Sequence, residues 1–248
     1  MDRCNEPIIN PERRPGAPEV GPLVVMASVG PDVADLSRAM FGEGARYTRL
    51  VNSRLYTDDT GLALVGPVMG APYAVFILEQ AIAHGARDIL FLGWCGSVSA
   101  RAETGSLVVP GSAFIDEGTS RHYVGEVPPD TGEVAVSWPD RDLAAGMVDE
   151  LSARDAACLT DPMWTTDAVF RETPEKVARF SGLGAVGVDM ETSALFTVAR
   201  FRCVRMAALC VVSDELHDGT WRPGFTDRRF AAARGAAVEV ICALSRKT

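Results

Sequence analysis

The chain has 248 residues, 47% of them hydrophobic and 23% charged, which is enough apolar material for one large core and too much for a disordered chain. Thirty-three acidic side chains against 24 basic ones give a net charge of −9, which argues against nucleic acid or an anionic membrane as the main partner. No apolar run approaches the roughly 20 residues of a spanning helix. The polar, proline-rich start (1–20) has no apolar stretch of the secretory type.

Six cysteines are present, and Cys95, Cys158, Cys203, Cys210 and Cys242 sit in apolar or tightly packed runs without paired spacing. With no export signal, reduced thiols in a cytoplasmic protein are expected. The sequence has no CxxC and no HExxH, and His84, His122 and His217 are far apart. A zinc site is not expected.

In chain order, LVVMAS (23–28) stops at Gly30-Pro31 and reads as a buried strand, and Pro31 or Asp32 then opens a helix to Phe41. Residues 62–68 are a second strand. Pro72 suits the first turn of a helix whose Ala74, Val75, Leu78, Ala81 and Ile82 share a face up to Gly85. Strand 89–92 runs into Gly93-Trp94-Cys95-Gly96-Ser97. That segment reads either as a tight turn offering N–H groups to an anion or sugar, or as an ordinary strand–helix turn. It is not GxGxxG and no suitably spaced acid follows, so a dinucleotide site is weakly supported.

Residues 107–110 form another strand, and 125–139, rich in Gly, Pro and acid, a surface excursion. Helix 141–154 follows, and Thr173-Pro174 form an N-cap and N1 pair for a helix to Phe180. Strand 185–188 passes into a helix over 190–202, and 206–212 is a strongly apolar strand ending in Ser213-Asp214. Phe230, Ala233, Ala237, Val238, Ile241 and Leu244 line one face of a C-terminal helix. Strands alternating with helices predict an α/β fold with a mixed, mainly parallel β-sheet flanked by helices. With no repeat and no dividing linker, 1–20 reads as an arm and 21–248 as one domain.

Ligands of open α/β sheets collect beyond the carboxyl ends of strands. Asp189 and Glu191 flank a strand-to-helix junction, either as acids complementing the helix dipole or as a grip on vicinal sugar hydroxyls. Asp214 ends a strongly apolar strand, directly after Val212 and Ser213, a place for a partly desolvated general acid or for a turn aspartate.

VDMETSALFTVA (188–199), followed by MAALCVVSDE (206–215), resembles the purine nucleoside and uridine phosphorylase family. LVGPVMGAPYAVFILEQAIAHGARDILFLGWCGSV (64–98) and TGSLVVPGSAFIDEGTSRHY (104–123) are similar to that family's glycine-containing strands, helix and following segment. The likeness runs from about Leu23 to Leu244.

The resemblance implies that Met190 lies against a ribose, that Glu191 holds its hydroxyls, and that Asp214 protonates a purine as the glycosidic bond breaks. The TTDAVF stretch puts Val169 and Phe170 where the family stacks the base, one aromatic short, with Arg171 and Glu172 next to base edges. The family's phosphate ligands are largely missing. GPDVA (30–34) replaces the arginine-bearing first turn, Phe91 stands for an arginine, and Trp94 for a hydroxyl. The remaining anion-pocket candidates are Gly30, Gly96, Ser97, Thr119, and Arg46 or Arg49 lent by a neighbouring subunit. The implied activity is phosphorolysis of a purine nucleoside, with inorganic phosphate as co-substrate, no cofactor and no metal, in a homo-oligomer (a dimer or a trimer of dimers). Hydrolysis by a nucleosidase and nucleoside binding without turnover are the alternatives.

Overall fold

A computed structural model of the chain describes residues 7–13, 18, 20–124 and 134–247. Part of the expected arm, and 125–133 of the expected excursion, lie outside the described residues. The elements in chain order are β1 (Leu23–Ala27), α1 (Gly30–Phe41), β2 (Thr48–Leu50), β3 (Ser53–Thr57), β4 (Ala63–Gly66), α2 (Ala71–Ala83) and β5 (Asp88–Ser97). Next come β6 (Leu107–Val108), β7 (Ala113–Asp116), α3 (Arg121–Val124), β8 (Val136–Ser137), α4 (Arg141–Ser152), β9 (Cys158–Leu159) and β10 (Met163–Thr166). A 3₁₀ turn (Val169–Arg171) leads to α5 (Pro174–Gly182), β11 (Gly187–Asp189), α6 (Thr192–Phe201), β12 (Arg205–Glu215), β13 (Arg222–Pro223) and α7 (Arg228–Ser245).

The strands form one sheet in the order β2-β3-β4-β1-β5-β11-β10-β7-β8, with β12 also beside β5 and carrying β13 and β6. The pairings β1–β4, β1–β5, β5–β12, β7–β10 and β10–β11 are parallel, whereas β5–β11 and the hairpin β2–β3–β4 are antiparallel. The sheet is thus mixed and mainly parallel in one domain, as the alternation of elements predicts.

Alternation along the buried strands divides the core into layers. Ile89, Phe91, Met206, Ala208 and Cys210 pack with α2 and α6, through residues such as Leu78 and Leu195. Leu90, Leu92, Ala207, Leu209 and Val211 face Leu36 of α1, Met147 of α4 and Ile241 of α7. A third cluster seats Phe180 of α5 on Trp164 of β10, the rings stacked at 4.5 Å. Local chemistry fixes several helix starts. Asp140 accepts from the Leu143 N–H, Thr173 from the Lys176 N–H and Asp227 from the Arg229 N–H, each satisfying a donor that the first turn leaves open.

Two expectations are corrected here. Gly93–Ser97 is no turn: β5 continues through it. Neither glycine adopts a positive φ, and each stands where a side chain would collide, with the Phe91 ring at Gly93 and with Leu216 at Gly96. The glycines therefore let a strand run between crowded neighbours. Within the expected excursion, Val136–Ser137 is strand β8, paired with β7.

Asp32, in the first turn of α1, is fully buried. Arg234 of α7 donates to it through Nε at 2.7 Å and to Asp35 through Nη2 at 2.9 Å, joining the two helices. Burial holds the Asp32 carboxyl above its ordinary range, and the Arg234 guanidinium opposes this. Stability present below the unfolded-state pKa of about 4 is therefore lost as pH rises through the folded-state value. Arg234→Met deepens that loss by leaving the carboxylate uncompensated. We expect a cost of about 3–5 kcal/mol at neutral pH, shrinking toward about pH 4, as read by urea unfolding at the two pH values; an equal cost at both pH values contradicts this account.

Candidate functional site

The carboxyl ends of β1, β5, β11 and β12 open into a cleft of about 470 Å³, within the size range of small-molecule sites. Ser28, Val29, Met69, Trp94, Gly96, Met190, Glu191, Asp214, Val169 and Phe170 line it, joined by Glu172, Asp189, Trp221 and Phe225. Among the described lining residues there are four carboxylates and no lysine, arginine or histidine.

Asp214 owes its orientation to an irregularity. β12 follows β5 in register until Val212 opposes Cys95, and then Asp214, not Ser213, opposes Gly96. Ser213 is the extra residue of a β-bulge, which shifts the side chains beyond it by one position. Strict alternation would turn Asp214 the way of Cys210 and Val212, into the α2–α6 layer. The bulge instead gives it the face of Trp94, two residues before Gly96. A Cβ at position 96 would lie 3.3 Å from Asp214 Oδ2, so glycine makes room for the carboxylate. Asp214 is half-buried and hydrogen-bonded, not sealed among apolar groups. Its Oδ1 accepts from Ser213 Oγ at 2.6 Å and its Oδ2 from Trp221 Nε1 at 2.9 Å.

At the β11–α6 junction the two acids divide their work. Asp189 accepts from Thr165 Oγ1 at 2.7 Å and from the N–H and hydroxyl of Thr192. It is the helix-start acid of the pair; burial pushes its carboxyl above the ordinary range, and those donors oppose the shift. Glu191 is buried and takes the Gly70 N–H on Oε1, and the Met190 N–H also supports its carboxyl. Burial and the charge of Asp189 push the Glu191 carboxyl up to about 8. Met190 lies between these acids on the cleft wall.

Val169 and Phe170, in the 3₁₀ turn Val169–Arg171, also line the cleft, with Phe170 97% exposed. Arg171 does not line the cleft and is exposed, whereas Glu172 lines it. The turn rotates successive side chains by about 120°, so position 172 faces inward and 171 faces solvent. Burial first, and then the charge of Asp214, push the Glu172 carboxyl up to about 7, with Lys176 opposing.

The corner by Ser28, Val29 and Trp94 is built differently from an anion cradle. The Trp94 Nε1–H donates to Asp32 Oδ2 at 2.7 Å, its ring meets Phe230 edge-on at 4.9 Å, and the Arg234 guanidinium lies 5.3 Å from it. Asp32 thereby fills the positive end of α1 with a carboxyl of the chain's own. Ser97 is buried and its hydroxyl donates to the Ser99 carbonyl, so it faces away from the cleft. Thr119 lines a different cavity beside His122 and Tyr123. Gly30 and Arg49 line a third, with Asn52 and Arg54. Arg46 is exposed and is not among the residues lining the cleft.

The sequence reading did not include Trp221 and Phe225. They lie on the β12–α7 connection, with rings 6.5 Å apart, and Phe225 is 6.2 Å from Trp94. Two aromatics in a Gly- and Pro-rich loop right after Asp214 were the available signal.

The Phosphorylase superfamily profile matches residues 22–246. A guanosine phosphorylase of Halorubrum lacusprofundi is 28% identical over 182 residues, 73% of this chain and 72% of that protein. The crystal structure of uridine phosphorylase from Vibrio fischeri ES114 superposes with a TM-score of 0.73 at 20% identity, covering 90% of this chain and 92% of that one. AMP nucleosidase from Bacteroides thetaiotaomicron VPI-5482 gives 0.68 at 21% identity, covering 90% and 89%. These two structural likenesses concern the fold. The sequence match spans nearly the whole chain, and the protein belongs to the phosphorylase superfamily.

Proposed function

We propose that the chain cleaves the N-glycosidic bond of a purine nucleoside with phosphate as acceptor, releasing the free base and a sugar-1-phosphate. The observation that carries this reading is one cleft lined by Glu191, Met190, Asp214 and Glu172; we assign the first two to a sugar and the last two to a base. Bond cleavage builds positive charge on the sugar and negative charge on the leaving base. A proton from Asp214 neutralises the base, and Glu191 fixes the hydroxyls of the ring. Glu172, when ionised, accepts from the ring N–H and amino group of a guanine-type base. The guanosine phosphorylase of Halorubrum lacusprofundi, as a relative, supports a purine substrate. The acceptor attacks the face of the sugar opposite the base, which inverts the anomeric carbon, and no covalent enzyme intermediate is needed.

Phosphate needs positive donors. We assign that role to exposed Arg46 or Arg49 of a neighbouring copy, which makes the working unit a homo-oligomer. Hydrolysis is the second reading. It is favoured by Trp94 fixed on Asp32 and Arg234 at the corner where the anion is expected. Incubating purine nucleosides with and without phosphate separates the two. Under phosphorolysis turnover rises and saturates with phosphate, sugar-1-phosphate forms, and Arg46→Ala or Arg49→Ala raises the phosphate KM. Equal base release without phosphate, with free sugar as product, identifies a nucleosidase. No base release from any nucleoside leaves a binding protein.

Asp214→Asn is expected to lower kcat on purine nucleosides by about 10²-fold with the fold intact; an unchanged kcat removes Asp214 from the mechanism. Glu191 carries its proton below about 8, where glutamine is its neutral isostere. Above that value the carboxylate makes charge-assisted bonds to two hydroxyls. The loss caused by Glu191→Gln therefore grows as pH rises through about 8. It should be absent for a 2′,3′-dideoxy substrate, as followed by kcat/KM across pH.

A further inference from the structure

We propose that Trp221 is a positioning residue for the general acid: its indole N–H holds Asp214 Oδ2 and yields that oxygen when a purine base enters. The inference rests on the assignment of Asp214 as the proton donor.

The geometry that places Trp221 is specific. β13 folds straight back on the end of β12, with Pro223 opposite Asp214 and Arg222 opposite Glu215. The Gly224 N–H donates to the Ser213 carbonyl at 2.9 Å, and a Cβ on Gly224 would strike Thr104 and that carbonyl. The connection is thus pinned beside the bulge, and Trp221 reaches over Asp214 from a position 61% exposed to solvent. Trp221 also lines the cleft, so its ring borders the space that a base bonding to Asp214 would enter.

The two donors on Asp214 differ in what they tolerate. A serine hydroxyl rotates, donating to an ionised oxygen or accepting from a protonated one. An indole N–H can only donate. Ser213 on Oδ1 therefore serves both states of the acid, whereas Trp221 on Oδ2 is compatible with an unprotonated oxygen there. With Trp221 donating to Oδ2 and Ser213 bonded to Oδ1, neither oxygen is free to hand a proton to a base. Proton donation to a base then requires that Trp221 withdraw from Oδ2, and its exposed place on a loop allows this without opening the core.

Other charged groups face Asp214 and bear on any pH measurement. Glu172 lies across the cleft, with Lys176 behind it. Asp189 and Glu191 sit at the β11–α6 junction, and Cys95 on β5 has a buried thiol pushed well above its ordinary range. On the same connection, Glu215 is paired with Arg222 and close to His217. Glu172 is the group most easily confused with Asp214, so the test is run in both backgrounds.

Trp221→Phe keeps an aromatic ring and removes the donor. If the acid must be protonated for turnover, the alkaline limb of kcat/KM for a purine nucleoside moves up by about one pH unit. That is about a tenfold gain on that limb, and it persists in a Glu172→Gln background. A Trp221→Phe profile that superimposes on the parent overturns the proposal. The second measurement is independent of turnover. In protein labelled with ¹⁵N-tryptophan, the indole N–H signal lost in Trp221→Phe is expected to shift on titration with acid, and to move when free purine base is added. The acid shift is expected to vanish in Asp214→Asn. An indole signal that ignores both acid and base overturns the Trp221–Asp214 contact as a functional one. Absence of base release by the parent chain instead removes the premise about Asp214, leaving the indole result to stand alone.

Discussion

The site depends on how strand β5 shares its edges. It pairs with β1 only as far as Leu92, yet continues to Ser97. Its last residues are held by β12 in parallel and by β11 antiparallel, with Gly96 opposite both Asp214 and Val188. Two strand ends that carry chemistry are thereby brought to one point. The glycines of this segment make the convergence possible, since a Cβ on Gly96 would meet Leu216, Asp214 and Val188, and one on Gly187 would meet Met163 and Cys95. Close packing of this kind, and not a flexible turn, is why glycine recurs there.

Four carboxylates in one cleft pose an electrostatic problem, because like charges in a partly buried site raise each other's proton affinity. The structure answers it differently at each group. At Asp189 two threonine hydroxyls and an N–H oppose the upward push of burial. Glu191 and Glu172 are pushed up to about 8 and about 7 by burial and by their acidic neighbours. Asp214 accepts hydrogen bonds from Ser213 and Trp221. Near neutral pH the cleft is far less negative than its composition suggests, and its proton-bearing groups lie in the range useful for general acid work.

The same economy of charge governs the corner near α1. A helix N-terminus is a ready anion site, and here the chain fills its first turn with a buried carboxylate of its own, balanced by Arg234. Trp94 is held by that carboxylate and so links this corner of the cleft to the contact between α1 and α7. A change at Arg234, on the far helix, therefore reaches the cleft wall through Asp32 and Trp94.

Much of the architecture is legible in the sequence, because buried strands and amphipathic helices carry periods set by backbone geometry. β1, α1, α2, α4, α5, α6, β12 and α7 fall where apolar spacing, Pro31, Pro72 and the Thr173 cap predict. Met190, Glu191 and Asp214 are marked by the motifs around strand ends, and all three line the cleft. Other features had no local signature. The short strands β2, β3, β7 and β9 are defined by their partners. The continuation of β5 through Gly93–Ser97 depends on β11 and β12 arriving from far along the chain. The bulge at Ser213 is a matter of register between two strands more than a hundred residues apart, and it decides which way Asp214 faces. The selection of Glu172 over Arg171 came from the phase of a single 3₁₀ turn, and that of Trp221 from a loop folded back on its own strand. Sequence by itself determined the elements and the acids, through periodicity and local chemistry. Tertiary structure decided which side chains meet, because direction and register belong to pairs of segments and not to either one.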